Sequence, residues 1–111
     1  MDYKSAGVDI DAGNESVERI KKGVQSTFTT NVLTGLGSFG SLYDLKSILY
    51  DYENPVLVQS IDGVGTKAII ARKLGKFNTI GVDLLSACAN DILVMGARPL
   101  TFLDYIANDK L

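Results

Sequence analysis

Three groups of residues have types and spacings suited to chemistry. The first is Asp62-Gly63-Val64-Gly65-Thr66-Lys67, which puts an acid, glycines, a hydroxyl and an amine into one short block. Glycines permit close backbone approach, and amides at a helix N-terminus favour phosphate oxygens. Lys67 adds a positive charge there, and Asp62 can hold a divalent cation. The block is not a Walker A loop, because no G-x-x-x-x-G-K-[ST] occurs in the chain. Its plain alternative is a tight turn with a solvated lysine. The second group is Asp83, Asn90 and Asp91, which at helical spacing share about one quadrant of a helix. An acid among apolar neighbours costs free energy unless it is paired or metal-bound. Mg²⁺ takes a few carboxylates together with phosphate oxygens and water, and Asp62 with Asp91 could serve it. The plain alternative sets Asp83 near a helix start and turns Asn90 and Asp91 to water. The third is Gly35-x-Gly37-x-x-Gly40, with the letters of a dinucleotide fingerprint. The run before it, Phe28-Thr29-Thr30-Asn31-Val32-Leu33-Thr34, is too polar for a strand buried on both faces. A flexible loop closing over an anion and an ordinary surface loop are the competing readings.

Composition narrows what these groups can do. The chain has 111 residues, enough for one domain and one sizeable core. It has no histidine, which removes imidazole acid–base chemistry, Ser-His-Asp and Cys-His nucleophiles and histidine metal sites. The single cysteine, Cys88, excludes an internal disulfide and a cysteine-cluster zinc site. Set among Leu84, Leu85 and Ile92, it reads as a buried small hydrophobe. Tyr43, Tyr50 and Tyr52 read as packing. The formal net charge of -2 gives nucleic acid no electrostatic driver. The longest apolar-rich run, about residues 80–95, is interrupted by Asp83, Asn90 and Asp91, so no membrane span is expected. With no targeting segment in view, a cytoplasmic location is expected. The chain stops directly after a strand-like run, so a fragment of something longer is expected.

The elements that must position these residues alternate between helix and strand patterns. Residues 3–13 read as an ordered arm or loop. Asn14 is a candidate N-cap for a helix over 15–25, with Val17, Ile20 and Val24 on one face and Lys21 and Lys22 near its end. A short helical or irregular piece covers 41–49. Pro55 opens an apolar run over 56–61 that predicts a strand ending on the Asp62 block. A helix then runs to Leu74, stopped by Gly75, and another covers 81–95, stopped by Gly96. Pro99 leads into a second predicted strand over 100–106. Its two faces, Leu100, Phe102 and Asp104 against Thr101, Leu103 and Tyr105, both carry large apolar groups. One small domain covers one such face easily but not both, so a two-fold partner is expected, with Phe102 or Leu103 at or near the contact. The class is mixed α/β (α+β).

At Asp62-Gly63-Val64-Gly65-Thr66-Lys67 the chain resembles the aminoimidazole ribonucleotide (AIR) synthetase family, the phosphoribosylformylglycinamidine cyclo-ligases. Three further blocks agree, in order: Tyr3 to Asn14, Gly37-Ser38-Phe39-Gly40, and Gly81 to Asn90-Asp91 continuing through Gly96-Ala97-Arg98-Pro99-Leu100 to Tyr105. The resemblance spans nearly the whole chain. It implies an N-terminal domain with a mixed sheet and flanking helices, whose strands pair across a dimer to form a barrel. Residues 1–111 would be part of that ATP-binding and dimerisation domain, with the C-terminal domain absent from this chain. The activity it implies is ATP-dependent ring closure of formylglycinamidine ribonucleotide in purine biosynthesis, where phosphoryl transfer activates the amide oxygen and a nitrogen displaces phosphate. The implied cofactors are ATP and Mg²⁺. By resemblance, Asp62 and Asp91 are the metal ligands and Lys67 with Asp62 the catalytic pair. Gly37, Gly40, Asp62, Gly63, Gly65, Thr66, Lys67 and Asn90 are the nucleotide-binding residues, and Asp83 supports them. Rival readings are another ATP-dependent member of the superfamily (thiamine-monophosphate kinase, selenophosphate synthetase or hydrogenase maturation factor type), a dinucleotide-binding oxidoreductase fragment, and a non-catalytic dimerisation fragment.

Overall fold

The structure, a computed structural model, describes residues 7–107. The Tyr3–Ala6 part of the opening block and the last residues, 108–111, lie outside it. The chain divides into a first compact unit that runs to Pro55 and resumes at Ile106, and a second of Val56–Tyr105.

In the first unit, α1 spans Ile10–Gln25. It begins earlier than the sequence pattern predicts, because Asp9, not Asn14, is the N-cap. The Asp9 carboxylate accepts from the Ala12 amide at 3.1 Å, and the Asp9 carbonyl accepts from Gly13 N–H at 3.0 Å. The first bond satisfies a donor that a helix start otherwise leaves orphaned, and the second is the first bond of the helix itself. Glu15 and Glu18 therefore lie within the helix, where they pair with Arg19 and Lys21 at 2.5 and 2.7 Å. Beyond α1, an isolated antiparallel bridge joins Val32 to Tyr43. Asn31 fastens its base, with its side-chain amide donating to the Asp44 carbonyl at 2.7 Å and to Ser47 Oγ at 2.8 Å. The glycine-rich segment is the loop closed by this bridge, and Gly37 takes φ +98 in it. The four-residue α2, Lys46–Leu49, follows.

In the second unit, α3 is Lys67–Leu74 and α4 is Ile80–Leu93. Both end as their glycines predict. Gly75 has φ 61, and Lys76 N–H reaches back to the Ala71 carbonyl at 2.9 Å. Gly96 has φ 74, and Ala97 N–H reaches the Ile92 carbonyl at 3.1 Å. This is the left-handed closure that glycine adopts without a Cβ penalty. The two helices pack on each other. Ala71, 7% exposed, is the buried hydrophobic residue of the described chain.

Neither predicted strand is a strand here. Residues 56–61 and 100–106 have no ladder assigned. A strand exists through its pairing, and these runs have no backbone partners among the described residues. Most of their side chains are open to solvent, Ile61 at 96% and Tyr105 at 89%, while Val58, Ser60 and Leu100 are half-buried. Phe102 and Leu103 are exposed too. Tyr50 and Tyr52 are exposed rather than packed, and Cys88 is half-buried rather than buried. Most of the large apolar side chains among the described residues are open to solvent.

Candidate functional site

The second unit holds most of the candidate residues, and two side-chain contacts organise them. The loop 62–66 delivers Lys67 as the first residue of α3. Within that loop Asp62 turns back on its own segment, its Oδ1 accepting from Gly63 N–H at 2.7 Å. Gly65 takes φ +65, a conformation that any Cβ would strain. Asp62, Gly63, Gly65, Thr66 and Lys67 are all exposed, so their polar groups face a ligand-accessible surface.

The first contact joins α3 to α4. Lys67 Nζ lies 3.5 Å from Asp83 Oδ2, with the two side chains 62% and 47% exposed. Asp83 sits in the first turn of α4, where the helix dipole favours a carboxylate. The pair stands at the rim of an open cleft of about 230 Å³ between the helices, lined also by Ile70, Leu74 and Ile80.

The second contact joins the loop approach to the other end of α4. Ser60 Oγ donates to Asp91 Oδ2 at 2.9 Å. Asp91 lies in the last turn of α4, which carries no basic residue. A carboxylate there opposes the dipole, and a cation would favour it. Asn90 and Asp91 are exposed. Sequence reasoning passed over Ser60. The available signal was a hydroxyl two positions before Asp62, at the polar end of an apolar run.

Gly37 and Gly40 lie in the first unit, in the bridge-closed loop. No helix opens after Gly40, and the next one, α2, starts six positions later with four residues. The strand–glycine–helix setting of a dinucleotide site is missing, so that reading is set aside.

The family model described as "AIR synthase related protein, N-terminal domain" matches residues 45–111. The chain is 56% identical over all 111 of its residues to proteins named phosphoribosylformylglycinamidine cyclo-ligase from Xanthomonas campestris and Xanthomonas oryzae. It is 55% identical to the protein of the same name from Xylella fastidiosa, again over its whole length. It covers 32% of the Xanthomonas proteins and 31% of the Xylella protein, so it spans about a third of their length.

The donor set suits Mg²⁺ and phosphate. It consists of carboxylate oxygens, loop amides, a hydroxyl and an amine, with no imidazole or thiolate among them. No three His, Cys, Asp or Glu side chains converge among the described residues. Mg²⁺ is commonly bound by one or two carboxylates and completed by phosphate oxygens and water rather than by a closed protein cage.

Proposed function

The chain belongs to the AIR synthase related family through its N-terminal domain, and on that premise we propose that it is part of an ATP-dependent cyclo-ligase. Its substrate is formylglycinamidine ribonucleotide and its product aminoimidazole ribonucleotide. Residues 1–111 supply part of the ATP-binding and dimerisation domain, and the rest of the cleft comes from sequence beyond this chain. The setting is cytoplasmic purine biosynthesis, and no described helix is long and apolar enough to cross a membrane. In the assembled enzyme, residues 56–61 and 100–106 pair into a mixed sheet that closes a barrel across a homodimer. That reading accounts for the apolar side chains the single chain leaves uncovered.

At the site, the amides of Gly63 and Gly65, the Thr66 hydroxyl and Lys67 bind nucleotide phosphates at the start of α3. Asp62 and Asp91 would hold Mg²⁺, and Asn90 is assigned to nucleotide binding by resemblance. By family resemblance, Gly37 and Gly40 are further nucleotide-binding residues. Bound Mg²⁺ and ATP supply the phosphoryl group and the charge neutralisation that activate the substrate amide. The protein's part is positioning: Lys67 orients phosphate charge, and Asp83 keeps the lysine near its working place. The observation that carries this reading is the 56% identity to proteins named phosphoribosylformylglycinamidine cyclo-ligase, over a match that covers all 111 residues of the chain. Thermal unfolding of the full-length protein tests the nucleotide assignment. ATP with Mg²⁺ raises the midpoint, by about 2.7 kcal/mol of stabilisation at a hundredfold excess over Kd, and NAD leaves it unchanged. Stabilisation by NAD alone would overturn the assignment.

A further inference from the structure

We propose that Ser60 is a positioning residue for the Asp91 carboxylate. The inference rests on the reading of Asp91 as a metal ligand. Three observations carry it. Ser60 Oγ donates to Asp91 Oδ2 at 2.9 Å across 31 positions of sequence. Asp91 stands in the last turn of α4, against the helix dipole and without a basic neighbour in that turn. Its terminal torsion is broad and roughly two-fold, so the backbone alone does not set the plane of the carboxylate. A hydroxyl donor from the segment that leads into Asp62 fixes that plane. It also ties one proposed metal ligand to the chain that carries the other. The hydroxyl has one proton, and it is spent on Oδ2. The bond therefore orients the carboxylate without neutralising it, and the negative charge stays available to a cation. Partners that orient a ligating carboxylate are commonly worth 10- to 100-fold in metal affinity. The exposure of this pair puts the expected effect at the low end.

The test uses full-length protein and Mn²⁺ as the probe, with ADP present, and bound metal read by electron paramagnetic resonance. Mg²⁺ dependence of turnover is measured in parallel. Ser60→Ala weakens Mn²⁺ binding by about 5- to 10-fold and raises the Mg²⁺ requirement by a similar factor. Ser60→Thr, which keeps the hydroxyl, restores both. Ser60→Val, matched to Thr in shape, does not. Should Ser60→Ala fail to fold, the Thr and Val pair decides alone. In an Asp91→Asn background, Ser60→Ala changes Mn²⁺ affinity no further, as expected when two residues act through one another. If Asp91→Asn weakens Mn²⁺ binding and the Ser60 variants do not, the positioning role is wrong and the metal assignment stands. If Asp91→Asn leaves Mn²⁺ binding and Mg²⁺ dependence unchanged, the metal assignment fails and the role of Ser60 falls with it.

Discussion

At the scale of single residues, Lys67 and Asp83 separate binding from stability. Their 3.5 Å pair is half open to solvent, and such pairs contribute about 0–1 kcal/mol. Asp83→Ala is therefore expected to change the urea unfolding free energy of the full-length protein by less than about 1 kcal/mol. Lys67→Met removes a charge from the proposed phosphate site and is expected to raise KM for ATP by about 10-fold or more, the loss of one charge-assisted contact. An unchanged KM would return Lys67 to the role of a solvated surface lysine. The turn into α3 was legible in the sequence, because the glycines of the Asp62–Lys67 block mark where the backbone must turn, and Gly65 takes φ +65 there. The Ser60–Asp91 contact was not legible, because no local period encodes a bond across 31 positions. The partner of Asp83 was hidden for the same reason: Lys67 lies on another helix.

At the scale of elements, caps decide where helices begin and end. Gly75 and Gly96 stop α3 and α4 as the sequence predicts, since a left-handed closure needs glycine and little else. The start of α1 differs from the sequence pattern, which takes residues 3–13 as an arm or loop and Asn14 as the cap. Gly13, a poor helix former, lies in the first turn of the helix. The Asp9 carboxylate on Ala12 N–H outweighs that local penalty. Asp9→Ala is expected to cost about 1 kcal/mol in chemical unfolding. Glu15→Ala, which breaks an exposed pair with Arg19, is expected to cost no more than about 0.5 kcal/mol. Equal losses from the two variants would contradict the cap assignment. The strand patterns over 56–61 and 100–106 show the opposite difficulty. Alternation and apolar content describe what a segment will do once it has partners, and the pairing is not supplied within the described chain.

At the scale of the whole molecule, uncovered apolar surface is the dominant feature. Val56, Leu57, Leu103 and Tyr105 are each more than two-thirds exposed. At about 25 cal/mol per Å² of apolar surface buried, covering such side chains is a strong drive to associate. The full-length protein is expected to sediment as a dimer at micromolar concentration. Phe102→Asp or Leu103→Asp is expected to shift it toward monomer, and a dimer unaffected by either change would move the interface elsewhere.

The proposed cyclo-ligase activity is tested by turnover of formylglycinamidine ribonucleotide with the purified full-length protein. With ATP and Mg²⁺ present, the account predicts steady formation of aminoimidazole ribonucleotide, matched mole for mole by ADP and phosphate. It predicts no turnover by residues 1–111 alone, which span about a third of the relatives' length. ATP consumption without ring closure, or product formation that needs no ATP, would contradict it.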